Sequence, residues 1–218
     1  MIKEIWKRIP KLPLSVMIFF VSVYVLWQLA IIPSPTEILS LLESWYQSYG
    51  LFGLFIAVFL EGIAYLGLYF PGSFIVALAV IFSDGSFISL ISISLVVALA
   101  LTITSIINYY FGGSVWASKL SKEIVVSEKK IFSKGLFASM IHPNTLAFYF
   151  FYSGMKKHNF KKILFVPLVM IPYGLALGYL FYSIKEPLRG ALESPYIMIG
   201  FVLVWFIIAF VNESRKNS

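Results

Sequence analysis

Residues 51–85 read LFGLFIAVFLEGIAYLGLYFPGSFIVALAVIFSDG, and two features of this stretch decide the fold. The run from Leu51 to Phe70 is apolar apart from a single acid, Glu61, and Pro71 and Gly72 break it. A second apolar piece, Ser73–Phe82, then ends at Ser83-Asp84-Gly85. Ten helical residues rise only about 15 Å, roughly half the hydrocarbon thickness of a bilayer. The second piece therefore cannot cross a membrane alone, and residues 51–83 are expected to form a re-entrant hairpin. Broken backbone of this kind is tolerated at membrane depth only where protein or water satisfies it.

Composition agrees with a lipid environment. Of the 218 residues, 60% are hydrophobic and 12% charged, against about 25% charged in ordinary soluble domains. Leu14–Ile32 reads as a first span, closed by Pro33 and Pro35, with no small-residue cleavage signal after it. Thr36 is placed to cap an interfacial helix over 36–49, where Glu37 and Glu43 mix with Trp45, Tyr46 and Tyr49. Further spans are expected over 87–111, 163–183 and 196–211. A polar loop over 112–134 and a short one holding Lys185, Glu186, Arg189 and Glu193 separate them. Residues 135–155 form a second apolar run, broken in its middle by His142-Pro143-Asn144. The predicted fold is a single all-α integral membrane domain.

The lysines set the topology. If both broken runs return to the side they entered, 15 of the 17 basic residues share a side with both termini, leaving only Lys185 and Arg189 opposite. Positive charge accumulates on cytosolic flanks, so N- and C-termini are expected in the cytosol and 135–155 is expected to be re-entrant. Each hairpin with its following span then forms a unit, and the two units have opposite orientation. Inverted repeats of this kind place a site near the midplane of many transporters.

Several chemistries are excluded. There is no cysteine, and only His142 and His158 carry imidazole, so thiolate chemistry is absent and a multi-histidine metal cage is not expected. The net charge of +7 lies in clusters beside apolar runs, the pattern of membrane flanks rather than of nucleic-acid binding. No nucleophile–base pair, phosphate loop or dinucleotide fingerprint appears. No enzyme activity, cofactor or metal is expected.

Glu61 carries the strongest functional signal. An ionised carboxylate at the bilayer centre costs about 2.5–3.5 kcal/mol on insertion scales. It must be protonated, paired or facing water, which makes it a candidate proton carrier. Pro71-Gly72-Ser73 reads as a hairpin tip with Ser73 capping the second arm, and helix-start amides suit an anionic group. His142 and Asn144 stand at the matching tip, where His142 can approach Glu61 or an anion. Lys134, Lys156 and Lys157 flank the second hairpin as cations that would attract lipid headgroups.

Residues 50–116 resemble the DedA family, also called SNARE-associated or VTT-domain membrane proteins. The matching text is Phe59-Leu60-Glu61, Phe70-Pro71-Gly72 and Tyr109-Tyr110-Phe111-Gly112, followed more weakly by Ser153-Gly154-Met155 and Phe160. The resemblance implies two oppositely oriented re-entrant hairpins. It also implies translocation of a lipid phosphate such as undecaprenyl phosphate across the cytoplasmic membrane, linked to a proton or sodium gradient. It adds Ser105 and Tyr109 to the candidate substrate-binding and proton-coupling positions. The chain departs from the family pattern at Ser73, Ser105 and Gly113, where the family carries an acid, an acid and a base. The family's arginine pair in the second hairpin has no counterpart, since 135–154 contains no arginine or lysine. A guanidinium fork is the natural clamp for phosphate. Three functions are thus kept: a lipid translocase, a non-transporting subunit of a larger membrane complex, and a small-solute or ion carrier using Glu61. The partners expected are membrane lipids, and a homo-oligomer or larger complex is compatible with the sequence.

Overall fold

A computed structural model describes residues 11–70, 72–114 and 135–216, and among these every regular element is helical. The chain divides into two compact units, Trp45–Ile184 and the two ends together, Met1–Ser44 with Lys185–Ser218. Two helical stretches, Phe87–Gly112 and Phe160–Ser183, are long and apolar enough to cross a membrane. The other apolar helical stretches are shorter: Pro13–Gln28, Gly72–Phe82 and Ile199–Val211.

In the unit of the two ends, α1 (Lys11–Gln28) packs along α9 (Pro195–Lys216). Tyr24 meets Tyr196 edge to face with ring centroids 5.7 Å apart. Helix α1 stops at Gln28, short of the expected Ile32, and the chain turns through Ala30 at φ 54°. The next helix, α2 (Pro35–Glu61), opens on a capping box that displaces Thr36 from its expected role. Ser34 Oγ accepts from the Glu37 amide at 3.2 Å, and Glu37 accepts in return from the Ser34 amide at 2.7 Å. Ser-x-x-Glu satisfies two orphan amides at once, which a lone threonine cannot do. The Ser34 amide and the Ser34 hydroxyl, both donating to the Glu37 carboxylate, hold it below the ordinary carboxylate range. The expected loop after Ser183 is in fact helix α8 (Lys185–Glu193). Arg189 bonds Glu193 one turn on at 3.0 Å and Glu43 at 3.4 Å, and Pro187 falls in the first turn, where no amide is needed.

In the Trp45–Ile184 unit, Gly50 breaks the helical geometry of α2 at φ 49°, ψ −132°. The sequence places a boundary at this residue, between 36–49 and the apolar arm. The next break differs from expectation. Helix α2 ends at Glu61 rather than running to Phe70, and residues 62–70 form an irregular turn containing one 3-10 helix, Leu66–Tyr69. The cause is Asn108, whose side chain donates to the Gly62 carbonyl at 2.7 Å and accepts from the Ala64 amide at 2.9 Å. Those bonds replace the intrahelical partners that unwinding removes. Helix α3 (Gly72–Phe82) follows.

Helix α4 (Phe87–Gly112) is central, with α3, α6 (Pro143–Met155) and α7 (Phe165–Ser183) packed against it. Its buried face carries Ser94, Ala98, Leu101, Ser105, Asn108 and Gly112 at three- and four-residue spacing, small or polar in every case but Leu101. Small residues let helix axes approach closely. The opposite face exposes Ile88, Leu95, Leu99 and Ile107. The second run is broken at the expected place: α5 (Gly135–Ser139) stops, and α6 restarts at Pro143 with His142 as its N-cap. Residues 115–134, most of the expected cytosolic loop, lie outside the described residues.

The α3–α4 connection contains Gly85 at φ 71°, with the Tyr182 ring lying where a Cβ would stand. The Tyr182 hydroxyl donates to the Asp84 carbonyl at 2.8 Å. Gly85→Ala meets both backbone strain and the ring, so a loss of about 2 kcal/mol is expected. Thermal unfolding in detergent measures it, and an unchanged midpoint would show that the Tyr182 contact is dispensable.

Candidate functional site

Glu61 sits in the last turn of α2 and is only 3% exposed. An acid so enclosed must have local partners. The Ser73 hydroxyl supplies them, donating to both carboxylate oxygens at 2.9 Å. Ser73 therefore does not cap α3 by accepting from its amides, as the sequence reading expects. It is a donor that ties the start of α3 to the end of α2. Gly72 makes this approach possible, because a Cβ there would stand 2.7 Å from Glu61 Oε2. The helix start expected to receive a foreign anion is already occupied by the protein's own carboxylate.

Glu61 and Ser73 line a cavity of about 230 Å³ together with His142. Exposed Ser73, Ile141 and His142 flank its polar end. From there it extends between α3, α4 and α7, past Val97 and Ser94 to Leu90 and Phe181. Gly174 and Gly178 of α7 keep the space open, facing Ser94 and Leu90 respectively. His142 is close enough to Glu61 to interact with it electrostatically. Its Nδ1 accepts from the Asn144 amide at 3.2 Å, so the second helix start is also satisfied internally. No lysine or arginine lines the cavity among the described residues.

Asn144 is not among the residues that line the cavity, and it binds the two broken runs together. Its side-chain amide donates to the Gly67 carbonyl at 3.1 Å, while its Oδ1 is buried without a partner. Gly67 packs against the Glu61 carbonyl so closely that no side chain fits.

The remaining candidates lie elsewhere. Ser105 is buried and bonds its own helix at the Leu101 carbonyl, 2.6 Å away. Tyr109 donates to the His158 carbonyl at 2.6 Å and packs edge-on against Phe160. Neither lines the cavity, and both serve packing of α4. Lys156 and Lys157 are exposed, with the Lys156 ammonium 5.8 Å above the Tyr152 ring. Pro71 and Lys134 lie outside the described residues.

Asn108, which secures the turn after Glu61, and Tyr173 and Gly174, which line the cavity, join the candidates only in the folded structure. Asn108 carried a signal: it is the lone carboxamide in an uncharged run of 26 residues, and such a group must find partners when buried. The α7 positions carried none beyond apolarity. Comparison with family models, with curated proteins and with solved structures finds no match for this chain.

Proposed function

We propose that this chain is a multi-pass protein of the cytoplasmic membrane, with both termini cytosolic, that translocates an amphiphilic lipid. Residues 51–83 and 135–155 would be re-entrant hairpins of opposite orientation, forming a DedA-type inverted repeat. A lipid phosphate such as undecaprenyl phosphate is the substrate class the resemblance implies. The observation that carries this reading is the cavity itself. A single buried acid stands at its polar end, at the junction of the two broken runs, and an apolar slot leads away from it. That shape suits a headgroup and part of one chain. The exposed apolar face of α4 and exposed Leu164, Leu168 and Leu180 of the stretch leading into and along α7 suit contact with lipid.

In this mechanism Glu61 takes a proton as the lipid enters. The neutral acid releases Ser73, and the freed helix start of α3 receives the headgroup. Reprotonation and deprotonation from opposite sides would give direction. Vesicles carrying the full-length protein and a fluorescent lipid phosphate test it. Glu61→Gln is expected to slow translocation at least tenfold, and wild-type speed in that variant would remove the proton role. Labelling of Lys157 tests the topology, since reactivity only from outside the cell would make 135–155 a crossing segment.

The absence of lysine and arginine around the cavity among the described residues favours a second reading, a non-transporting subunit that keeps the fold. Stoichiometric co-purification with a larger membrane complex, together with no lipid movement in vesicles, would select it.

A further inference from the structure

We propose that the cavity beside Glu61 binds a single-chain cationic amphiphile, such as an alkylammonium, with the cation on Glu61 and in competition with a proton. The inference stands apart from lipid-phosphate translocation and holds even if no lipid phosphate is moved.

The charge around the cavity decides the class of headgroup. From α2 the cavity receives Glu61; from the segment before α6, His142; from α7, Tyr173. Helices α3 and α4 contribute no titratable side chain to it. Among the described residues the site thus offers one carboxylate, one imidazole and one phenol, with no fixed positive charge. A phosphate entering it while Glu61 is ionised would face that carboxylate across an apolar medium, where like charges repel strongly. A quaternary or primary ammonium would instead meet an opposite charge already oriented by Ser73.

The shape decides the rest of the molecule. The slot follows α4 from Leu101 to Leu90, roughly 16 Å at 1.5 Å per residue. Its volume of about 230 Å³ lies below the usual range of about 300–1,000 Å³ for drug-sized ligands. One alkyl chain fits such a slot, and two do not. Gly174, Gly178 and Ala77 line it, and the two glycines bring no side chain into the space beside Ser94 and Leu90.

Proton and ammonium exclude one another here because both require the same carboxylate. Acidification should therefore displace the ligand.

The test is equilibrium binding of radiolabelled dodecyltrimethylammonium to the full-length protein in nanodiscs, with empty nanodiscs subtracted. Its charge is permanent, so any pH dependence belongs to the protein. The expected result is saturable binding of one molecule per chain at pH 8.5, weakened at least tenfold at pH 5. Dodecyl phosphate should compete at least tenfold less well than dodecylamine. Glu61→Gln should lower affinity at least tenfold while Glu61→Asp retains most of it. Gly178→Leu, which fills the slot without touching Glu61, should also lower affinity. Equal binding by wild type and Glu61→Gln overturns the proposal, as does tighter binding of dodecyl phosphate. Should Glu61→Gln fail to fold, the wild-type protein still decides, because binding unchanged between the two pH values overturns it equally.

Discussion

Asn108→Leu is expected to destabilise the Trp45–Ile184 unit by roughly 2–6 kcal/mol. Two backbone groups depend on this one side chain, the Gly62 carbonyl and the Ala64 amide. Both lie beyond the end of α2, where no helical partner replaces them, and leaving a buried group unpaired costs about 1–3 kcal/mol. Leucine is nearly isosteric, so little of the loss comes from a cavity. Unfolding in mixed micelles, followed by circular dichroism, measures the effect. A loss below about 1 kcal/mol would mean that water or a rearranged turn satisfies residues 62–64. The same variant should disturb Glu61, because the carboxylate stands one residue before the turn that Asn108 holds.

The second large effect is expected at the crossing of α4 and α6. Gly112 lies directly against the Phe151 carbonyl, and Gly154 lies directly against the Tyr109 carbonyl. Each glycine meets the backbone of the other helix, so an added methyl cannot be absorbed by rotating a side chain. Gly112→Ala and Gly154→Ala should each cost about 3 kcal/mol, the upper part of the usual range for overpacking. Both force the same two helices apart. The double variant should therefore cost clearly less than the two single losses together, since the second methyl enters space opened by the first. Full additivity would show that the two contacts relax independently and that the crossing is not one rigid joint.

This joint explains something the sequence shows only as separated fragments. Tyr109-Tyr110-Phe111-Gly112 and Ser153-Gly154-Met155 with Phe160 stand some forty residues apart. They meet in the fold: glycine on carbonyl twice, the Tyr109 ring on Phe160, and the Tyr109 hydroxyl on the His158 carbonyl. Their spacing is set by a backbone-to-backbone crossing and a turn that it anchors. Tyr109 is accordingly a packing residue here, at a distance in role from Glu61.

Much of the architecture was legible because its causes are local. Apolar runs with sparse charge predict helices, Pro143 preceded by His142 predicts a break, and the change from polar to apolar at residue 50 predicts a boundary, since each rests on propensity or composition within a few residues. The oddity of Glu61 was also legible, because an acid inside an apolar run is costly in any fold that buries it. What the sequence could not decide was where α2 ends and what faces the acid. Those depend on partners far along the chain: Asn108 for the turn, Ser73 for the carboxylate, Gly174 and Gly178 for the empty space. A helix breaks where a distant side chain offers its backbone better bonds than its own next turn, and no local rule carries that comparison.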